Sequence, residues 1–165
     1  MLPTVDFCGL TLTRLLIGAN PFGGFSHQNE ARDIEMKTWA TPERILETWD
    51  RAWQAGINTF VTNNETEHVI NTTKRYLAAG GPMQWIGQLA MRSHPTMMDS
   101  LDEAKAIGAS AVYFHGGYVD AFYKEKDAQT LAQWVAHAKS LGLPVGVAGH
   151  APEVHDWVNS LDLVD

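Results

Sequence analysis

The sequence predicts an α/β fold of the (βα)₈-barrel (TIM-barrel) type, present only in part, and three observations predict it. First, one phrase recurs: an Ala-rich amphipathic helix, a Gly, then a short apolar run ending in polar residues. It reads Ala52–Gly56 into Ile57–Val61, Ala104–Gly108 into Ser110–Phe114, and Ala138–Gly142 into Leu143–Val147. Gly after a helix supplies the left-handed cap that turns the chain back toward a strand. Second, the apolar runs are uninterrupted, as in parallel strands buried on both faces. Third, polar residues gather at the C-terminal strand ends, where such folds keep their chemistry.

The elements follow in order. Val5 to Thr13 alternates around Cys8-Gly9 and predicts an N-terminal hairpin within residues 1–14. The first core strand is Leu15 to Ala19, followed over 20–40 by a long loop without periodicity, of the kind that forms lids. Thr41-Pro42-Glu43 opens a helix with a capping Thr, a first-turn Pro and an acid at the positive dipole end. Its inward stripe is Ile45, Leu46, Trp49, Ala52 and Trp53. The second core strand is Ile57 to Thr62, then a helix with Val69, Ile70, Thr73 and Leu77 inward. The third strand, Gln84 to Met91, precedes a helix opened by Pro95 with Met97, Met98, Leu101, Ala104 and Ile107 on its apolar face. The fourth, Ser110 to Phe114, runs into a glycine-bearing loop, His115 to Asp120. A helix burying Ala128, Leu131, Ala132, Val135 and Ala138 leads to the fifth strand, Leu143 to Ala148. The last helix carries Val154, Trp157, Val158 and Leu161, and Leu161 to Asp165 reads as a sixth strand beginning.

These make about five and a half βα units, whereas a closed barrel has eight strands and about 250 residues. Residues 1–165 therefore read as a single partial barrel domain whose remaining strands come from elsewhere. The structural rival is an open parallel α/β sheet, which needs no completion.

Composition narrows the function classes. A net charge of −7 without a Lys/Arg cluster argues against nucleic acid and anionic membrane surfaces. One cysteine, Cys8, excludes an internal disulfide and fits a reducing compartment. No signal peptide is visible, and no apolar stretch approaches the roughly 20 residues that span a bilayer. A cytoplasmic protein is expected. Only 19% of residues are charged, so part of the surface is expected to be neutral or covered by a partner. The Trp residues at 39, 49, 53, 85, 134 and 157 read as packing or interface residues.

Gly9-Leu10-Thr11-Leu12-Thr13-Arg14-Leu15-Leu16-Ile17-Gly18, Asn20-Pro21-Phe22-Gly23-Gly24 and Gly56-Ile57-Asn58-Thr59-Phe60 resemble the aldo/keto reductases. That resemblance implies a (βα)₈ barrel using a nicotinamide cofactor, NADP(H), bound by late strands beyond those read here. The family's catalytic set does not carry over. Val61 stands where the family places an Asp, no Tyr sits near Asn63-Asn64-Glu65, and Gln88 to Met91 holds no Lys. Only His115 stands where the family keeps its His.

The polar strand-end residues are Asn20, Asn63, Asn64, Glu65, Gln88, Arg92, His94, His115 and His150, with His27 from the long loop. His115 and His150 end neighbouring strands, which lie roughly 5 Å apart in a ladder, and each abuts glycine. Two imidazoles there suit acid–base exchange with a substrate, or satisfaction of loop carbonyls. Asn20, His27, Asn63, Asn64, Glu65, Gln88, Arg92 and Tyr118 are candidates for binding a hydroxylated or carbonyl substrate. Asn63-Asn64 alternatively caps the next helix. No metal motif is present; a divalent metal, if bound, would draw on His115, His150 and Glu65. Phe22, Phe25, Tyr118, Phe122 and Tyr123 either wall a pocket or pack beneath loops.

Three functions are expected from this reading. The first is a barrel-type enzyme, or fragment of one, acting on a small polar carbonyl or sugar-like substrate by lyase, isomerase or hydrolase chemistry through His115 and His150. The second is an aldo/keto-reductase-like oxidoreductase with substituted catalytic residues. The third is a non-catalytic partial barrel assembling with a second copy or a complementing chain through open sheet edges.

Overall fold

A computed structural model of the chain describes residues 2–91 and 93–165. They form an α/β fold whose core strands stand in one four-stranded sheet in the order β3-β4-β5-β6: β3 (Thr59–Asn63), β4 (Gln84–Leu89), β5 (Ala111–Phe114) and β6 (Val145–Val147). The chain divides into two compact units, Met1–Ile86 and Gly87–Asp165.

In the first unit, β1 (Thr4–Phe7) and β2 (Leu10–Thr13) make the expected antiparallel hairpin. Phe7 faces Leu10, so the loop is the two residues Cys8-Gly9, both at positive φ (51° and 80°). That geometry matches the right-handed strand twist and puts Cys8 where a β-carbon is strained. The hairpin is tied to the starts of two core strands. The Asn58 Nδ2 and Gln84 Nε2 amides both donate to the Thr11 carbonyl at 2.9 Å, and Thr13 N–H donates to Asn58 Oδ1 at 2.8 Å.

Two sequence expectations need correction here. Leu15 to Ala19 is not a full strand: it touches β3 through one parallel bridge, Ile17 with Phe60, and Leu15 and Leu16 are exposed. Residues 20–40 are not a structureless loop, since they contain α1 (Asn20–Gly23) and α2 (Glu30–Trp39). Asn29 caps α2 by accepting from Arg32 N–H, a signal hidden by a helix with no buried residues and hence no apolar stripe.

Helix α3 (Pro42–Gln54) starts at the capping Thr41, as its sequence dictates. Ile45, Trp49 and Ala52 are buried, while Trp53 is exposed. Trp49 packs against Phe60 at 4.4 Å between ring centroids and against Tyr76 of α4 (Glu67–Ala78) at 5.3 Å. Phe22 adds an edge contact to Trp49.

In the second unit, α5 (Met97–Ile107) opens with a capping box between Thr96 and Asp99 and closes on Gly108 at φ 109°. The region after β5 departs from expectation. His115 to Asp120 is not a loop, because α6 (Gly116–Glu125) begins immediately after His115, and α7 (Ala128–Ser140) follows it. Lys126 at φ 59° makes the turn between them. β5 and β6 pair in parallel, Val112 with Val145 and Tyr113 with Gly146. After α8 (Pro152–Leu161) the expected sixth strand is not formed, but Asp165 N–H donates to the Val145 carbonyl at 3.1 Å.

The core strands are buried along one face and, toward their starts, on the other as well, where Thr59, Ile86 and Ala111 are buried. Phe60, Thr62, Trp85, Leu89, Val112, Phe114 and Val145 are buried, whereas toward the strand ends the alternate residues Val61, Asn63, Gln88, Tyr113 and Gly146 are only partly so. Apolar runs alone could not reveal this, because Gly and Val read as buried wherever they stand. Among the described residues, no helix is long and apolar enough to cross a membrane.

Candidate functional site

The second unit contains the most organised chemistry. His150 follows β6, and Asp120 lies on α6, four residues past Gly116. This spacing brings Asp120 one helical turn along the same face as the glycine. The Asp120 carboxylate uses both oxygens on one residue: His150 Nδ1–H donates to Oδ2 at 2.6 Å and the His150 backbone N–H donates to Oδ1 at 3.1 Å. The ring proton is thereby held on Nδ1, which leaves the Nε2 lone pair outward on a side chain 74% exposed. Ion pairs with one exposed partner contribute about 0–1 kcal/mol, so the pair does more for the orientation of the His150 ring than for stability.

Gly116 makes room for that ring. A β-carbon on Gly116 would lie 2.9 Å from His150 Cε1 and 3.1 Å from its Nδ1. His115, the residue before, is held differently: Gly117 N–H donates to His115 Nδ1 at 3.0 Å, which places the neutral ring's proton on Nε2. Its ring meets Tyr118 edge-on. On the half-buried face of the sheet, Tyr113 O–H donates to Gln88 Oε1 at 2.9 Å, and burial pushes the Tyr113 phenol above its ordinary pKa.

The Tyr118 hydroxyl accepts from Met91 N–H at 3.1 Å, and its ring packs on Trp134. Phe122 also packs on Trp134, and Tyr123 on Trp157, so these aromatics pack rather than wall a pocket. Asn20, His27, Asn63, Asn64 and Glu65 lie in the first unit. Asn63 Oδ1 accepts from the backbone N–H of Glu65 at 3.0 Å and of Thr66 at 2.9 Å, which is the turn-capping alternative. Asn64 is buried and Glu65 half-buried, while Asn20 and His27 are exposed, His27 at φ 56°. Arg92 lies outside the described residues. His94 Nε2 is 2.7 Å from Glu103 Oε2. Among the described residues no group of three or more His, Cys, Asp or Glu side chains converges to hold a metal ion, so His115, His150 and Glu65 form no ligand set. Away from the strand ends, a shallow groove of about 390 Å³ lies between Trp39 and Arg44, Glu47, Thr48 and Arg51.

In the sequence Asp120 stands only as the last residue of the loop from His115, a step further from the strand end than Glu65. Read as a loop, His115 to Asp120 places it beyond reach; read as a helix, the Gly116 to Asp120 interval places it beside the glycine.

Four aspartates sit below the ordinary carboxylate range. The Ser26 hydroxyl and N–H lower Asp33, the Thr130 hydroxyl and N–H lower Asp127, and the Val145 N–H with Lys139 lowers Asp165. For Asp120, burial pulls upward, but the hydrogen bonds and charge of His150 outweigh it. A depressed native value means the unfolded chain binds the proton more readily. The stabilisation is therefore present above the unfolded value, about pH 3.9, and is lost as pH falls through the native values. Urea midpoints are expected to hold between pH 7 and 5 and to drop below pH 4; a midpoint unchanged down to pH 2.5 would contradict these assignments.

No family model, curated protein or solved structure matches the chain.

Proposed function

We propose that the chain is a (βα)-barrel-type enzyme, or part of one, that moves protons on a small polar carbonyl or hydroxylated substrate through His150 and His115. The observation that carries this reading is the Asp120–His150 pair at the end of β6, with the ring proton committed to the carboxylate and Nε2 open. An oriented imidazole at a C-terminal strand end is where barrel enzymes place a general base. The barrel reading draws support from strand order: a doubly wound sheet reverses its order at a switch point, and β3-β4-β5-β6 runs in one direction. It also draws support from Gln88 and Tyr113 of the second unit, whose partial exposure at the C-terminal strand ends suits the mouth of a barrel.

His150→Ala and His115→Ala are each expected to lower turnover at least tenfold on small hydroxy-carbonyl substrates. Unchanged turnover in both variants would sink the assignment.

A second reading, relatedness to the aldo/keto reductases, is supported by the β1–β2 hairpin ahead of the Ile17–Phe60 bridge. It requires NADP(H) binding, so a flat titration of NADPH fluorescence with the full chain removes that activity from consideration.

A further inference from the structure

His115 and His150 are often interchangeable names in such a site, but their hydrogen bonds make them different reagents. His150 gives its Nδ1–H to Asp120 and keeps a bare Nε2, which can only accept a proton. His115 takes the Gly117 N–H on Nδ1, so its Nε2 carries the hydrogen and can only donate. Neither Nε2 has a hydrogen-bond partner among the described residues. The two residues meet at the start of one helix: the β-carbon position of Gly116, the residue after His115, lies against His150 Cε1 at 2.9 Å. Gly116 directly follows His115, and their Cα atoms are about 3.8 Å apart, so the His150 ring stands against the residue next to His115.

Resting on the proton-exchange reading above, we infer that the site enolises an α-hydroxy aldehyde or ketone, with His150 as the base and His115 as the neutral hydrogen-bond donor. His150 Nε2 takes the proton from the carbon bearing the hydroxyl. The C–H electron pair becomes the C=C bond, and the carbonyl π pair moves onto oxygen, where His115 Nε2–H holds the resulting enediolate. The same proton then returns from the His150 imidazolium. Returned to its own carbon it restores the substrate; returned to the former carbonyl carbon, with the hydroxyl proton passing between the two oxygens, it interconverts aldose and ketose. No co-reactant is consumed. A bare acceptor beside a neutral donor suits this step because the donor must stabilise an oxyanion without first surrendering a charge. Gln88 fits the same substrate class: its Oε1 is occupied by the Tyr113 hydroxyl, which leaves its NH₂ to meet a substrate oxygen.

Two measurements on the full chain test this. Nitrogen-15 NMR of the histidines near pH 8 is expected to show the Nδ1–H tautomer for His150 and the Nε2–H tautomer for His115; one tautomer for both overturns the division of roles. Deuterium wash-in from D₂O into the C–H positions of dihydroxyacetone is expected above the buffer rate, falling at least tenfold in His150→Gln. Absence of wash-in, together with histidine-dependent turnover of other substrates, overturns enolisation while leaving the proton-exchange reading intact. Wash-in indifferent to His150 overturns both.

Discussion

On the proposed proton exchange, Asp120→Asn is expected to lower turnover by about 10²–10⁴-fold, the range a general base contributes. The reason is arithmetic of lone pairs. The carboxylate accepts two N–H groups from His150, one on each oxygen. An amide has one oxygen, so either the backbone N–H or the ring loses its acceptor. If the amide NH₂ turns to the ring, it donates to Nδ1, the ring proton shifts to Nε2 and the base is lost. Turnover within threefold of the parent chain, with the His150 ring still protonated on Nδ1 by NMR, would show that Asp120 orients nothing of consequence. Because the His150 ring is 74% exposed, the same substitution is expected to cost no more than about 1 kcal/mol in the urea midpoint at pH 7, which separates loss of orientation from loss of fold.

Trp85→Ala has the opposite profile. Trp85 is fully buried in β4, and its indole N–H donates to the Thr62 hydroxyl at 2.8 Å. Truncating a buried Trp costs about 3–5 kcal/mol through lost transfer energy and the cavity left behind. Against a typical total of about 5–15 kcal/mol this is a large share, so the variant is expected to populate unfolded chain at modest urea. Trp85→Phe retains most of the ring and removes the donor, with an expected cost of about 1–3 kcal/mol. A midpoint shift equivalent to less than 1 kcal/mol in both variants contradicts the packing described for β4.

How much of this could be read from the chain depends on what each signal measures. Periodicity located α3, α5 and α7, because Trp49, Leu101 and Leu131 belong to apolar stripes that must be buried. It missed α2, whose helix buries nothing, and α6, whose opening Gly-Gly resembles a loop in sequence and forms a helix start in space. It read the strands in part: the second face is buried at Thr59, Ile86 and Ala111 and only partly covered at Asn63, Gln88 and Tyr113. Cys8 shows a further limit, since the two-residue turn demanded by the register of Phe7 and Leu10 overrides the preference of a cysteine against positive φ. The candidate site was half legible. His150 and His115 stood out by following apolar runs and abutting glycine, whereas the partner that orients His150 comes from a helix whose existence was not foreseen. Asn63 was legible in both its readings, and the turn it makes favours the capping one.

The hairpin carries a consequence for the timing of folding. Its Thr11 carbonyl waits for two amides, from Asn58 and Gln84, which lie 47 and 73 residues further along. Closing loops of that length is an entropic cost that only assembled neighbours repay. During synthesis the hairpin therefore leaves the ribosome well before the groups that hold it exist, and it can form its own ladder while remaining undocked. The stretch of the first unit that is made early is in this sense among the last to be fastened.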